Sequence, residues 1–142
     1  MSGEFWKIPQ ISERQFIEKA DTFDILLFTC NNPVAGVIRS YSKSEYDHVA
    51  MVIRYSDEPN EVFFIEAVGV YGIMIKQFSG MKDELGRFYR KIALRHLEFQ
   101  RSDEAIQKME QFVEEVNGAN YEFKLSQLVT RQTAASYMAP KK

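Results

Sequence analysis

His48 and Glu66 are the side chains whose types and spacing point first to chemistry. An imidazole beside a carboxylate is held in one orientation and made more basic, as a general base requires. Residues 47–55 read as a strand, Ser56-Asp57-Glu58-Pro59-Asn60 supplies turn chemistry, and residues 61–67 return as the second arm of a hairpin. A turn centred near Asp57 to Pro59 pairs residues whose numbers sum to about 114 to 116. An even sum puts His48 and Glu66 on one face, because side chains alternate along a strand. The same pair also serves in many proteins as a plain structural contact, and spacing alone does not separate the two uses.

Cys30 is the one cysteine and so the one candidate thiol nucleophile. It lies just before Pro33, which suits the first turn of a helix, and a helix N-terminus lowers a thiol pKa. Against this, Cys30 precedes His48 closely, and free cysteines are usually small buried hydrophobes. Ser126 or Ser136 would need a base and an oxyanion hole that no motif locates. Tyr46, just before the histidine strand, is a candidate site wall. Asp47 points to the opposite face from His48 and reads as structural. His96, at a strand exit, reads as a surface or partly satisfied histidine. One cysteine excludes an intrachain disulfide and a Cys-rich zinc site, and two histidines are too few for a metal cage without carboxylates. No metal and no cofactor is expected.

Several elements must position these groups. An N-terminal helix within residues 8–20 starts with a capping box, Ser12 at the N-cap and Gln15 at N3, with Ile11 and Phe16 placed as a hydrophobic staple. Residues 24–28 form a strand. A second short helix from Pro33 carries Val34, Val37, Ile38 and Tyr41 as an apolar stripe, with Arg39 and Ser40 off it. Residues 73–78 and 89–94 add strands. A long helix capped by Ser102 presents Ile106, Met109, Val113 and Val116, and Gly118 stops it. Residues 121–132 suit a last helix, and residues 133–142 a flexible tail. The aromatic set Phe63, Phe64, Tyr71, Phe78, Phe88 and Tyr89 is expected in the core.

Composition bounds the rest. The chain has 142 residues, 45% hydrophobic and 27% charged, as one globular domain spanning 1–142 would. A net charge of −2 with scattered basic residues gives no case for nucleic acid, although Arg87, Arg90, Lys91 and Arg95 form a local cluster. No run approaches a membrane span, and no signal peptide is visible at Met1-Ser2-Gly3-Glu4-Phe5, so a reducing, cytoplasmic location is expected. The expected class is α+β: a twisted, mainly antiparallel sheet of about four to six strands with helices packed on one side.

The order of these pieces resembles the permuted papain-like (NlpC-type) superfamily. Asp24-Ile25-Leu26-Leu27-Phe28 is similar to its "GD-I-L-F" strand, and Val37-Ile38-Arg39 to the helix ending near "IR". Asp47-His48-Val49-Ala50-Met51-Val52 resembles its "S-H-V-G-I-V" strand, Ile65-Glu66-Ala67 the strand ending "EA", and Gly72-Ile73 the "GV" turn. That group includes peptidoglycan amidases, lecithin:retinol acyltransferase-like enzymes and phospholipid-acting relatives. The resemblance implies a permuted papain-like fold, a thiolate nucleophile, His48 as base and Glu66 as the residue orienting it.

Two departures stand out. Phe23 occupies a position where the pattern has Gly. More seriously, no cysteine follows His48, and Lys124-Leu125-Ser126-Gln127-Leu128-Val129 resembles the "CSEL" helix start with Leu125 in the cysteine's place. The resemblance therefore implies a non-catalytic domain binding a peptide, lipid or protein through the former cleft. Otherwise the chain is a fragment whose cysteine helix begins beyond Lys142, and exposed apolar sheet would then favour self-association. An active amidase or acyltransferase using His48 is the remaining alternative.

Overall fold

The computed structural model describes residues 9–69 and 71–119. Helix α1 (Glu13–Lys19) begins at the capping box: Ser12 Oγ accepts from Gln15 N at 3.2 Å and Gln15 Oε1 accepts from Ser12 N at 2.9 Å. Then come β1 (Ile25–Cys30), α2 (Pro33–Ser42, capped by Asn32), β2 (His48–Ile53), β3 (Phe63–Val68) and β4 (Gly72–Gln77). A 3-10 turn (Ser79–Met81) leads into α3 (Lys82–Phe88), followed by β5 (Tyr89–Arg95) and α4 (Asp103–Val116). The five strands form one antiparallel sheet in the order β4-β3-β2-β1-β5, an α+β arrangement.

Both faces of the sheet are apolar, and each carries its own core. Leu26, Phe28, Ala50, Val52 and Phe64 alternate onto one face beneath Phe16 and Ala20 of the α1 region, with Met81 and Leu85 closing beside them. Met51, Ile53, Phe63, Ile65, Ile73 and Ile75 lie on the other face and pack on Met109, Val113 and Val116 of α4. The expectation of helices on one side is therefore corrected. The runs Ile25-Leu26-Leu27-Phe28 and Phe63-Phe64-Ile65 are continuous rather than alternating, so both faces must be shielded from water.

Helix α2 overturns a second expectation. Val34, Val37 and Tyr41 are more than half exposed, and Ala35 is the helix's buried residue. One turn after Ala35, Arg39 turns its guanidinium inward to the Cys30 carbonyl (3.0 Å) and the Asp47 carboxylate. The Asp47 side chain is 2% exposed, and a buried carboxylate left unpaired would cost more than an exposed valine stripe. Within the aromatic set, Phe64 and Phe78 are buried, but Tyr71 and Phe88 are exposed: one follows a turn and the other ends α3.

Phe23 enters β1 with φ 74, the left-handed region where glycine is at ease. Its N–H donates to Val52 O at 3.0 Å, and its ring meets Phe99 edge-on at 6.0 Å. Asp24, fully buried, accepts from Asp21 N (3.0 Å), Leu97 N (2.9 Å) and Arg101 Nη2 (2.8 Å), and His96 Nδ1 lies 3.0 Å from it. This carboxylate ties the start of β1 to the connection between β5 and α4. Gly118, at φ 78, ends α4 as expected, and residues 118–119 hydrogen-bond to Ile73 on the outer edge of β4. The helix expected over 121–132, the 133–142 tail, Leu125, Ser126 and Ser136 lie outside the described residues.

Candidate functional site

His48 opens β2 and faces Phe28 across the β1 ladder, their ring centroids 5.6 Å apart. The β2–β3 register pairs Ala50 with Glu66, an even sum, so Glu66 is the diagonal neighbour of His48 on the same face. His48 Nε2 and Glu66 Oε2 are 2.7 Å apart. Glu66 is buried, and Lys76 from β4 brings Nζ to 2.8 Å from its other oxygen. Burial raises the Glu66 pKa, but the hydrogen bond from His48 and the Lys76 ammonium outweigh it and hold the carboxyl below its ordinary range. The result is a chain, Lys76–Glu66–His48, that fixes the imidazole from behind.

The ring is partly exposed. The His48 side chain is 22% exposed, and Nδ1 has no hydrogen-bond partner among the described residues. An imidazole oriented in this way can accept a proton or bind a polar group of a ligand. Tyr89 adds an aromatic wall 4.8 Å from the Phe28 ring, and its hydroxyl is pushed up by burial and by the Glu66 charge. Phe28 also lines a cavity of about 960 Å³ on the same face of the sheet.

Cys30 ends β1 and packs beside the first core, with its backbone held by Asp47. Its backbone N–H reaches both Asp47 oxygens at 3.1 Å, and Asp47 is held by Arg39. Burial first, and then the Asp47 carboxylate, push the thiol up to about 12. These surroundings favour the protonated thiol over the thiolate that a nucleophile needs. The Asp47 carboxylate is taken up by Arg39 and the Cys30 N–H. The Tyr46 ring lies under the Lys91 ammonium, 5.5 Å from its centroid. Its hydroxyl is buried with no hydrogen-bond partner among the described residues.

Lys76 and Phe28 were not legible as site residues. A lysine in Ile73-Met74-Ile75-Lys76 reads as a solvated position, and only the β3–β4 register carries it to Glu66. Among the described residues no group of three or more His, Cys, Asp or Glu could hold a metal ion, and no helix is long and apolar enough to cross a membrane.

No protein-family model matches the sequence, and no curated protein does.

Proposed function

We propose that the chain is a permuted papain-like domain that binds a ligand at the His48 cleft without thiol chemistry of its own. The observation that carries this is a division of parts: the Lys76–Glu66–His48 chain is in place with Nδ1 unpartnered among the described residues, while burial and the Asp47 carboxylate push the one thiol up to about 12. The ligand is a peptide, lipid or protein group that offers an N–H or O–H to Nδ1, which is the accepting nitrogen when Nε2–H donates to Glu66. Its apolar part lies against Phe28 and the adjoining cavity. A reducing, cytoplasmic setting suits a chain with one unpaired cysteine. The alternative, an active amidase or acyltransferase with His48 as base, is favoured by how firmly the imidazole is oriented, which simple binding does not demand.

Two measurements on the full chain decide between them. Iodoacetamide should modify Cys30 slowly at pH 7, at the same rate in wild type and in His48→Ala. Fast alkylation that His48→Ala slows would restore the thiol enzyme. Titration with an N-octanoyl amino acid should shift the His48 ring resonances, and His48→Ala should weaken binding by roughly 3- to 10-fold, the worth of one hydrogen bond. Unmoved His48 resonances would sink the binding reading.

A further inference from the structure

The two edges of the sheet differ. The outer edge of β4 is engaged at Ile73 by the chain's own residues 118–119. Among the described residues no strand pairs with the outer edge of β5. That edge adjoins the large cavity. Lys91, Ile92, Ala93 and Leu94 all line it, in an unbroken run, together with His96. Side chains alternate between faces, so a lining of four consecutive residues takes in the backbone of β5 as well as the Ile92 and Leu94 side chains. The cavity therefore reaches the last strand of the sheet, whose outer N–H and C=O groups no strand pairs among the described residues. Across it stand Pro9 to Ser12, leading into α1.

The side chains around this slot have a pattern. Ile92 and Leu94 fall on the first-core face, beside the apolar walls of the cavity. Lys91 and Arg95 fall on the opposite face, with Arg90 at the bulge where the β1–β5 register shifts. Lys19, Lys91 and His96 also line the cavity, Lys91 paired with Glu45 at 2.7 Å and His96 set 3.0 Å from Asp24, while the carboxylate in the lining, Glu13, is paired with Lys82; Arg90 and Arg95 make no ion pair among the described residues. A second copy pairing edge to edge would set these cations against each other, which strand pairs disfavour. A strand that alternates acidic and apolar residues would meet cations on one side and Ile92 and Leu94 on the other.

We propose that the outer edge of β5 takes up an extended peptide of alternating apolar and acidic residues as a sixth strand. Main-chain hydrogen bonds hold it in line, and the alternation selects it. The seven residues of β5 span about 23 Å, the length of a seven- or eight-residue strand. This edge borders the same cavity as the His48 ligand's apolar part, but its main-chain contacts do not involve His48.

The test is fluorescence anisotropy of the full chain with a labelled eight-residue peptide of alternating Leu and Glu. Controls are a Leu–Lys alternation and a scrambled peptide with the composition of the first. The Leu–Glu alternation should bind at least tenfold tighter than either control and should slow amide exchange within residues 89–95. Because Arg90 and Arg95 are exposed and in no ion pair among the described residues, whereas Lys91 is paired with Glu45, the double variant Arg90→Glu with Arg95→Glu keeps the fold and should transfer the preference to the Leu–Lys peptide. Absence of binding, equal binding of the scrambled peptide, or protection outside β5 would overturn the proposal. So would concentration-dependent self-association protecting the same amides, which would assign the edge to a second copy.

Discussion

Glu66 is a charged group with almost no water around it, and the His48 imidazole and the Lys76 ammonium make that tolerable. Its pKa is lowered on folding, so it contributes stability that is complete above the unfolded value, about 4.3. That contribution is lost as pH falls through the lower folded value. Glu66→Gln should therefore cost roughly 1–3 kcal/mol near pH 7, and thermal melts should show the gap to wild type closing in acid. A gap of constant size from pH 7 to pH 3 would mean that the carboxylate charge does not stabilise the fold. Phe23 poses a different residue-scale question, because its φ of 74 penalises any side chain with a Cβ. Removing the ring loses the contact with Phe99 in any variant. Between small replacements, however, Phe23→Gly should be more stable than Phe23→Ala by about 1 kcal/mol, the reverse of the usual order, as denaturant midpoints would show. The sequence marked this position as unusual, since glycine suits it. It also foretold the His48–Glu66 meeting through simple alternation. Lys76 escaped notice because nothing local to a lysine says which neighbour a register will bring.

The elements divide by what covers them. Helix α4 buries Met109 and Val113 against the second core, whereas α2 leaves Val34 and Val37 in solvent and is anchored through Arg39. Met109→Ala should cost about 2–4 kcal/mol, while Val37→Ser should change stability by under about 0.5 kcal/mol. Chemical denaturation of the two variants checks this, and a large loss for Val37→Ser would show that something covers α2 in solution. The α2 stripe has the spacing of a core face, and periodicity points the wrong way here because a buried Asp47 took precedence over three apolar side chains. Caps were more legible than faces: Ser12, Pro33, Ser102 and Gly118 stand where their chemistry places them. The 3-10 turn and α3 left little trace, since Gly80 and Gly86 weaken the helical signal and Met81 supplies the anchoring burial.

At the scale of the whole molecule, the strands and their antiparallel pairing could be read from the chain, but the two-sided covering of the sheet could not be read from the helices. The clue lay in the strands, whose continuous apolar runs require shielding on both faces. Nor could the sequence show what surrounds Cys30, which packs beside the first core while its backbone N–H is taken by Asp47.

The even register of the β2–β3 hairpin has a consequence for how the site comes into being. His48 and Glu66 are separated by 18 positions, within one hairpin, whereas Asp24 waits for His96 and Arg101, 72 and 77 positions away. Closing a short loop is faster and loses less chain entropy than closing a long one. The histidine and its carboxylate thus meet as an early local event, and the buried Asp24 junction, which fastens β5 into the sheet, is assembled late.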